Sequence, residues 1–419
     1  MKELNVYYED QLVGSLTRDD ELVYGFKYDD QWREGENSFA LSLAMPLTQS
    51  TFGNRITLSF FENLLPEGEV KESLQRAHGI TGVFDFLENY GKDCAGAIVV
   101  TDKLDYTHSI NPGKAVQIDM DKVYAAIDER NSVADVIANM NPGYLSLAGA
   151  QDKFPAIYKD GTFWIPTHGA PTTHIVKAPI QHTGIKESVA NEYYCMELAR
   201  EIGFKVPKCL VTNGRHPLFV IERYDRCSDS KGIIHRIHQQ DFCQAQGKTS
   251  EFKYEDKGGP TLKDNYQLIT SNVPSSKRIE SIQSFLDWIA FNLVIGNHDS
   301  HSKNISFLLH GTKNELAPFY DLICTAIYPK LTKQFSFKIG DRDDFSEIGG
   351  NQIKLLENTL SLKEGTFRHR LVTIASKIQN LKDPLAERIK SCVPGAKIPK
   401  RISELIDDRI RGIKNQGAI

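Results

Sequence analysis

The chain has no hydrophobic run long enough to cross a bilayer. Its longest apolar run, Trp288 to Gly296, is interrupted by Asn292 and falls far short of the roughly 20 residues a spanning helix needs. Cysteine is scarce: seven among 419 residues, an odd number with no C-x-x-C pair. That usage fits free thiols in a reducing cytosol and argues against a disulfide framework. Cationic charge is in slight deficit, 50 Lys and Arg against 54 Asp and Glu, so no global basic field marks nucleic acid as the main ligand. The opening MKELNVYYED lacks the apolar core of a signal peptide, and a cytoplasmic location is expected. Neither G-x-G-x-x-G nor G-x-S-x-G occurs. Gly247-Lys248-Thr249 ends like a P-loop, but Phe242 stands where the first glycine belongs.

What is present suits a globular protein of two or three domains, with 40% hydrophobic and 25% charged residues. Short apolar bursts at Leu4–Tyr8, Leu12–Leu16 and Leu22–Phe26, separated by polar turns, predict a small antiparallel sheet. Helical spacing follows at 57–65 and 70–78, then a strand at 95–101. From Gly143 to Tyr224 the pattern is mostly antiparallel sheet. Its strands are at 154–158 and 173–178, with a hairpin at 208–212 and 218–224, and one inserted helix, 187–202, stops at Gly203. Beyond about 225 the periodicity is largely helical. A segment near 282–294 is apolar nearly all round, as a core helix is, and three more helices are expected near 351–360, 366–380 and 398–413. Lys397, Lys400, Arg401, Arg409, Arg411 and Lys414, interspersed with acids, read as a solvated helix face. The order, β-rich half then α-rich half, predicts an α+β fold. Its expected parts are 1–105, 106–224 and 225–419.

The strongest local feature is Gly296-Asn-His-Asp299-Ser-His301-Ser-Lys-Asn304, directly after the core helix. A strand, a turn at Gly311–Asn314 and then Pro318-Phe-Tyr-Asp321 follow. An Asp and an Asn five residues apart, with a second Asp after a hairpin, suit phosphoryl transfer. One carboxylate orients or deprotonates a hydroxyl, and the amide oxygen and second carboxylate hold Mg²⁺ against ATP phosphates. The same residue types also shape turns, and His298 with His301 is a weaker zinc alternative. Lys177, in an apolar strand, could neutralise phosphates, with Glu192 as its partner; the competing reading is an exposed edge-strand lysine. The turn from Ser146 to Lys153 carries one glycine, Gly149, that leaves room for backbone amides to approach an anion.

Taken together these segments resemble the HipA serine/threonine kinases, the toxin component of bacterial toxin–antitoxin pairs. The likeness runs through Leu41-Ser-Leu-Ala-Met-Pro-Leu47, Phe61-Glu-Asn-Leu-Leu-Pro66, Ser146-Leu-Ala-Gly-Ala-Gln-Asp-Lys153 and Pro171-Thr-Thr-His-Ile-Val-Lys177. It continues in Asn191-Glu-Tyr-Tyr-Cys195, Glu222-Arg-Tyr-Asp-Arg226, Gln240-Asp-Phe-Cys243, Gly296 to Asn304 and Pro318 to Asp321. The resemblance implies a two-lobed kinase-like fold with an extra N-terminal subdomain. It implies Asp299 as catalytic base, Asn304 and Asp321 as Mg²⁺ ligands, and His301 and Lys177 near the ATP phosphates. Glu222, Arg223 and Tyr224 would border the adenine, and the loop Ala148, Gly149, Ala150, Gln151, Asp152, Lys153 would close over the nucleotide. Ser146 would be a self-phosphorylation site whose phosphate ejects that loop. The implied partners are a separately encoded helix-turn-helix antitoxin dimer (HipB-like), operator DNA reached through it, and a protein substrate. Among substrates, an aminoacyl-tRNA synthetase such as glutamyl-tRNA synthetase is implied, with growth arrest as the result. Kinase-fold transfer to a small-molecule hydroxyl, or an inactive co-repressor, are the competing readings.

Overall fold

The structure, a computed structural model, describes residues 1–104, 106, 115–141, 143–144, 148–167, 169–310 and 313–419. Ser146 lies outside these, as does part of the turn expected at Gly311–Asn314. The fold is α+β. The chain divides into two compact units, one of Met1–Pro179, Thr212–Ser250 and Phe307–Thr312, the other of Ile180–Val211, Glu251–Ser306 and Lys313–Ile419.

The first unit begins with the expected antiparallel sheet. Lys2–Tyr8, Gln11–Arg18 and Tyr24–Tyr28 pair in sequence, Thr51–Phe52 extends one edge, and Ile98–Thr101 pairs with the first strand. On Tyr24–Tyr28 alternate residues Tyr24, Phe26 and Tyr28 are buried, the period-two pattern of a strand with one inward face, whereas Leu4 to Tyr7 and Ile98–Thr101 are buried at every position. Helices Asn54–Phe61 and Gly68–His78 match the helical spacing, and Gly82–Tyr90 adds a third. Five strands of a six-stranded sheet pair antiparallel in the order Pro217–Glu222, His174–Lys177, Lys153–Lys159, Thr162–Ile165, Val116–Gln117. Two helices the periodicity did not mark, Met120–Glu129 and Val133–Met140, lie in the chain between its strands Val116–Gln117 and Lys153–Lys159. The segment just after 225 is also not helical: Arg226–Ser228 and Ile234–Arg236 form a two-stranded ribbon before Gln239–Asp241. Arg226 and Arg236 are drawn into a buried ionic cluster there, which holds the segment extended.

The second unit is built on the helix Ser275–Ile295, whose last eleven positions include Phe285, Leu286, Trp288, Ile289, Phe291, Leu293, Val294 and Ile295, all buried. Side chains of this kind each contribute about 1.5–3 kcal/mol when fully buried, so the helix anchors its unit. Against it pack Thr366–Cys392 and Ile398–Asn415, and Ser188–Glu201 packs on those two. The helix beginning at Thr366 runs past Pro384 to Cys392, well beyond the expected 380, because Leu385, Ala386 and Ile389 still bury their side chains. Arg409 departs from the solvated face expected of it. It is buried, and its Nε and Nη2 donate to the carbonyl of Leu293 at 3.1 and 2.7 Å.

Candidate active site

Two sets of sequence-predicted residues are placed by these units. In the second unit the long helix ends where Gly296 adopts φ +74° and donates its N–H to Asn292. A Cβ at this position would stand 2.6 Å from that of Ala326, so the turn into the following loop requires glycine. The buried Arg409 guanidinium sits at the same helix end, 3.7 Å over the Phe345 ring, where a cation complements the helix dipole. Burial pushes its pKa down to about 10.

The loop itself is pinned at nearly every residue. Asn297 Nδ2 donates to Asn292 Oδ1 at 2.9 Å and to the Asp321 carbonyl at 3.4 Å, and its Oδ1 accepts from the Asp299 N–H at 3.1 Å. One amide therefore ties the turn that bears Asp299 to the segment carrying Asp321. His298 turns inward: its N–H donates to Thr325 Oγ1 at 2.7 Å, and its Nδ1 bonds the Thr332 carbonyl at 2.9 Å. Burial pushes its pKa down to about 4, so it is neutral, and the ring packs edge-on to Phe335. This histidine is a structural member of the loop. Ser302 exchanges hydrogen bonds with Asn265, and Tyr320 Oη donates to the Lys303 carbonyl at 2.7 Å.

Against this fixed background the Asp299 carboxylate stands out, its side chain 52% exposed. Its Oδ1 accepts from Tyr254 Oη at 2.6 Å and lies 3.8 Å from His301 Nε2. Asn304 is buried; its N–H donates to the His301 carbonyl and its Nδ2 to the Asp299 carbonyl at 2.8 Å. With the amide nitrogen so engaged, the oxygen is the atom that can serve a cation. Asp321 has φ +53°, a left-handed backbone uncommon for a non-glycine residue. The next segment is held by Asn191, which accepts from the Cys324 N–H and donates to the Cys324 carbonyl, both at 2.9 Å.

In the first unit Lys177 is buried and stands on an inner strand, opposite Lys153 on one side and Phe219 on the other. The edge-strand reading does not hold for it. The loop 148–153 is anchored at several points. Lys153 Nζ donates to the Ala148 carbonyl at 2.5 Å, the Glu67 N–H donates to the Gly149 carbonyl at 3.0 Å, and Gln151 Nε2 donates to the Ala178 carbonyl at 3.0 Å. Gly149 has φ +105°, and a Cβ there would meet Lys153 Nζ at 2.8 Å. The Asp152 carboxylate caps the helix Val133–Met140, accepting from the Val133 N–H at 2.7 Å and from the Ala134 N–H and Ser132 Oγ. Burial raises its pKa.

Glu222 ends its strand opposite His174, and Tyr224 Oη bonds Gln239. The Arg223 side chain faces into protein. It is buried with Asp93, Asp225, Arg226 and Arg236, bonding Asp93 at 3.0 Å and Asp225 at 2.8 Å, and donating to the Cys94 carbonyl. Desolvation pushes the Asp93 carboxyl up, but the three arginines together hold it below the usual carboxylate range.

Tyr254, Asn297 and Arg409 are site residues that sequence reasoning did not single out for roles. Asn297 had a signal, lying between the glycine stop and Asp299; Tyr254 and Arg409, far off in the chain, had none. Among the described residues no three His, Cys, Asp or Glu gather as a metal cluster.

A chain whose inner-strand lysine and pinned Asp-to-Asn loop occur in this order has the framework of one particular class, and comparison agrees. A family model for the HipA-like C-terminal domain matches residues 145–386, and one for the HipA N-terminal domain matches 4–101. The chain belongs to the HipA family. It is 34% identical over 420 residues to Y4mE of Sinorhizobium fredii, a kinase by name, covering 98% of this chain and 95% of that one. It is 29% identical over 390 residues to the serine/threonine-protein kinase toxin HipA of Shewanella oneidensis, covering 90% and 87%. The structure of Shewanella oneidensis HipA with HipB and operator DNA matches with a TM-score of 0.82 at 25% identity, over 98% of this chain and 97% of that one.

Proposed function

We propose that this chain is an ATP- and Mg²⁺-dependent serine/threonine protein kinase acting as the toxin of a toxin–antitoxin pair. The observation that carries the reading is the half-exposed Asp299 carboxylate on a loop whose other members are buried and hydrogen-bonded, with Asn304 clipped to it. Such a carboxylate accepts the proton of a substrate hydroxyl as its oxygen attacks the γ-phosphorus of ATP and ADP leaves.

The donors fit a hard cation. Asn304 offers an amide oxygen and Asp321 a carboxylate, an all-oxygen pair of the kind that holds Mg²⁺ together with substrate phosphates. When bound, the ion offsets the phosphate charge. In this reading Lys177 would neutralise phosphate charge, and Gly149 would let backbone amides approach an anion. Residues 1–105 would form the N-terminal subdomain, 106–224 the nucleotide lobe and 225–419 the acceptor lobe. Glu222 to Tyr224 border the adenine through backbone groups, since the Arg223 side chain is engaged with Asp93 and Asp225.

The relatives supply the setting. Shewanella oneidensis HipA has been seen with HipB and operator DNA, and we assign this chain a helix-turn-helix antitoxin dimer and, through it, its operator. Self-phosphorylation at Ser146 would switch the enzyme off, and the acceptor outside the chain is an aminoacyl-tRNA synthetase. Regulated expression in a bacterial host tests this. Growth arrest with the native chain, none with Asp299→Asn, and a new phosphoserine on a synthetase support the reading. Arrest that persists in the variant would overturn it.

A further inference from the structure

We infer that Tyr254 controls access to Asp299: its phenol holds the position of the acceptor hydroxyl, and a substrate must exchange for it. The inference rests on Asp299 being the base. Tyr254 Oη donates to Asp299 Oδ1 at 2.6 Å, the separation over which a base takes a proton from an acceptor. The ring stands edge-on to His301, with centroids 5.1 Å apart, so the phenol is aimed by packing as well as by its hydrogen bond.

The backbone around Tyr254 is built to present it. Its carbonyl accepts from the N–H groups of Lys257 and Gly259 at 3.2 and 2.9 Å, closing a tight turn. Gly258 there has φ +81°. A Cβ on Gly259 would come within 2.2 Å of the Phe252 carbonyl oxygen and 2.6 Å of that of Tyr254, so glycine alone closes the turn this way. The neighbouring Glu255 carboxylate accepts from the Lys338 N–H at 2.9 Å, tying the turn to the strand Gln334–Ile339. The turn is anchored through its backbone and Glu255, and the Tyr254 ring also meets His301 and the ammonium groups of Lys253 and Lys257, each 5.4 Å from its centroid. Tyr254 itself is only half-buried, and its bond to the half-exposed Asp299 is of the kind solvent or a substrate can replace.

Two consequences follow. Without a protein acceptor the phenol excludes water from Asp299 Oδ1, which suppresses wasteful hydrolysis of ATP. With one, the incoming hydroxyl takes over the same oxygen, and Tyr254 leaves with its proton and forms no bond to phosphorus. The cost of exchange is that of one hydrogen bond to a solvated carboxylate, so the residue is a filter of about five- to tenfold and not a block.

The test needs no knowledge of the substrate. ATP hydrolysis by the full chain in Mg²⁺ and without acceptor is measured for the native protein, Tyr254→Phe, and Tyr254→Phe combined with Asp299→Asn. Phenylalanine keeps the ring against His301 and removes only the hydroxyl. Hydrolysis should rise about five- to tenfold in Tyr254→Phe and be lost in the double variant, whereas a merely structural role would lower it. Unchanged or slower hydrolysis in Tyr254→Phe, in a preparation whose native form labels itself from ATP, overturns this inference alone. A rise that survives Asp299→Asn does the same, as does phosphotyrosine at Tyr254, which would make the phenol an acceptor. Absence of both hydrolysis and self-labelling in every form overturns the base assignment and this inference with it.

Discussion

The side-chain amide of Asn304 donates to the backbone carbonyl of Asp299 at 2.8 Å, so the residue proposed for the cation also fixes the turn that carries the proposed base. The two duties separate by substitution. Asn304→Asp keeps an oxygen for Mg²⁺ but loses the donor, and Asn304→Ala loses both. Both variants should lose about 1–2 kcal/mol of stability in urea titrations. Only Asn304→Ala should raise the Mg²⁺ concentration needed for half-maximal phosphotransfer. An equal Mg²⁺ requirement in the two would remove Asn304 from the cation site.

Gly296 is the pivot between the core helix and the loop. Its φ of +74° costs an L-residue about 1–2 kcal/mol, and the 2.6 Å approach to Ala326 adds a clash. In Gly296→Ala the chain should relieve both by moving the loop, so the phosphotransfer rate should fall by more than the melting temperature suggests. A variant that is destabilised yet keeps its full rate would show that the loop tolerates the shift.

His298 makes the fold acid-sensitive. Its pKa is pushed down to about 4 by burial, whereas an ordinary histidine titrates near 6.5. Between those values the unfolded chain binds the proton that the folded chain refuses, so stability rises with pH across the window and is lost as pH falls through it. The effect is at most about 3 kcal/mol. His238, stacked on Phe39 and likewise pushed down to about 4, contributes in the same direction. Urea titrations at pH 7 and pH 5 should therefore show a smaller pH-dependent loss in His298→Asn than in the native chain. An identical loss would mean that His298 is charged in the fold.

The buried cluster around Asp93 is a second exposed weakness. Asp93 bonds Arg223, Arg226 and Arg236 at 3.0, 2.9 and 3.2 Å with no exposure to solvent. Asp93→Ala leaves Asp225 as the carboxylate shared by Arg223 and Arg226 and takes one away from Arg236, and should cost about 3–5 kcal/mol, read as loss of the cooperative melt or of soluble protein. A variant that melts like the native chain would mean that water or an ion replaces the carboxylate.

Much of this was legible from residue patterns. The Ser275–Ile295 helix announced itself because its apolar residues occur on every face, and the opening sheet because its apolar bursts alternate. The helix Gly82–Tyr90 carried a readable stripe in Val83, Phe84, Phe86, Leu87 and Tyr90. The expected end near 380 fell short, since the helix continues through Pro384 where the following turns still bury apolar side chains. Arg409 looked like one basic residue among several on an amphipathic helix; that it turns inward depends on the Leu293 carbonyl, 116 residues away. Asp299 and Asn304 were visible as a spaced pair, whereas Tyr254 joins them only through folding, 45 residues distant from Asp299. Local spacing encodes the residues that share a loop, and long-range closure brings in the rest.

The central claim is that Asp299 activates a hydroxyl for transfer from ATP. The most direct measurement is incubation of the purified chain with Mg²⁺ and γ-labelled ATP, followed by phosphosite mapping, beside Asp299→Asn. The account predicts label on a serine, Ser146 first, with the rate cut by about 10²–10⁴ in the variant. Equal labelling of the native chain and Asp299→Asn would contradict it.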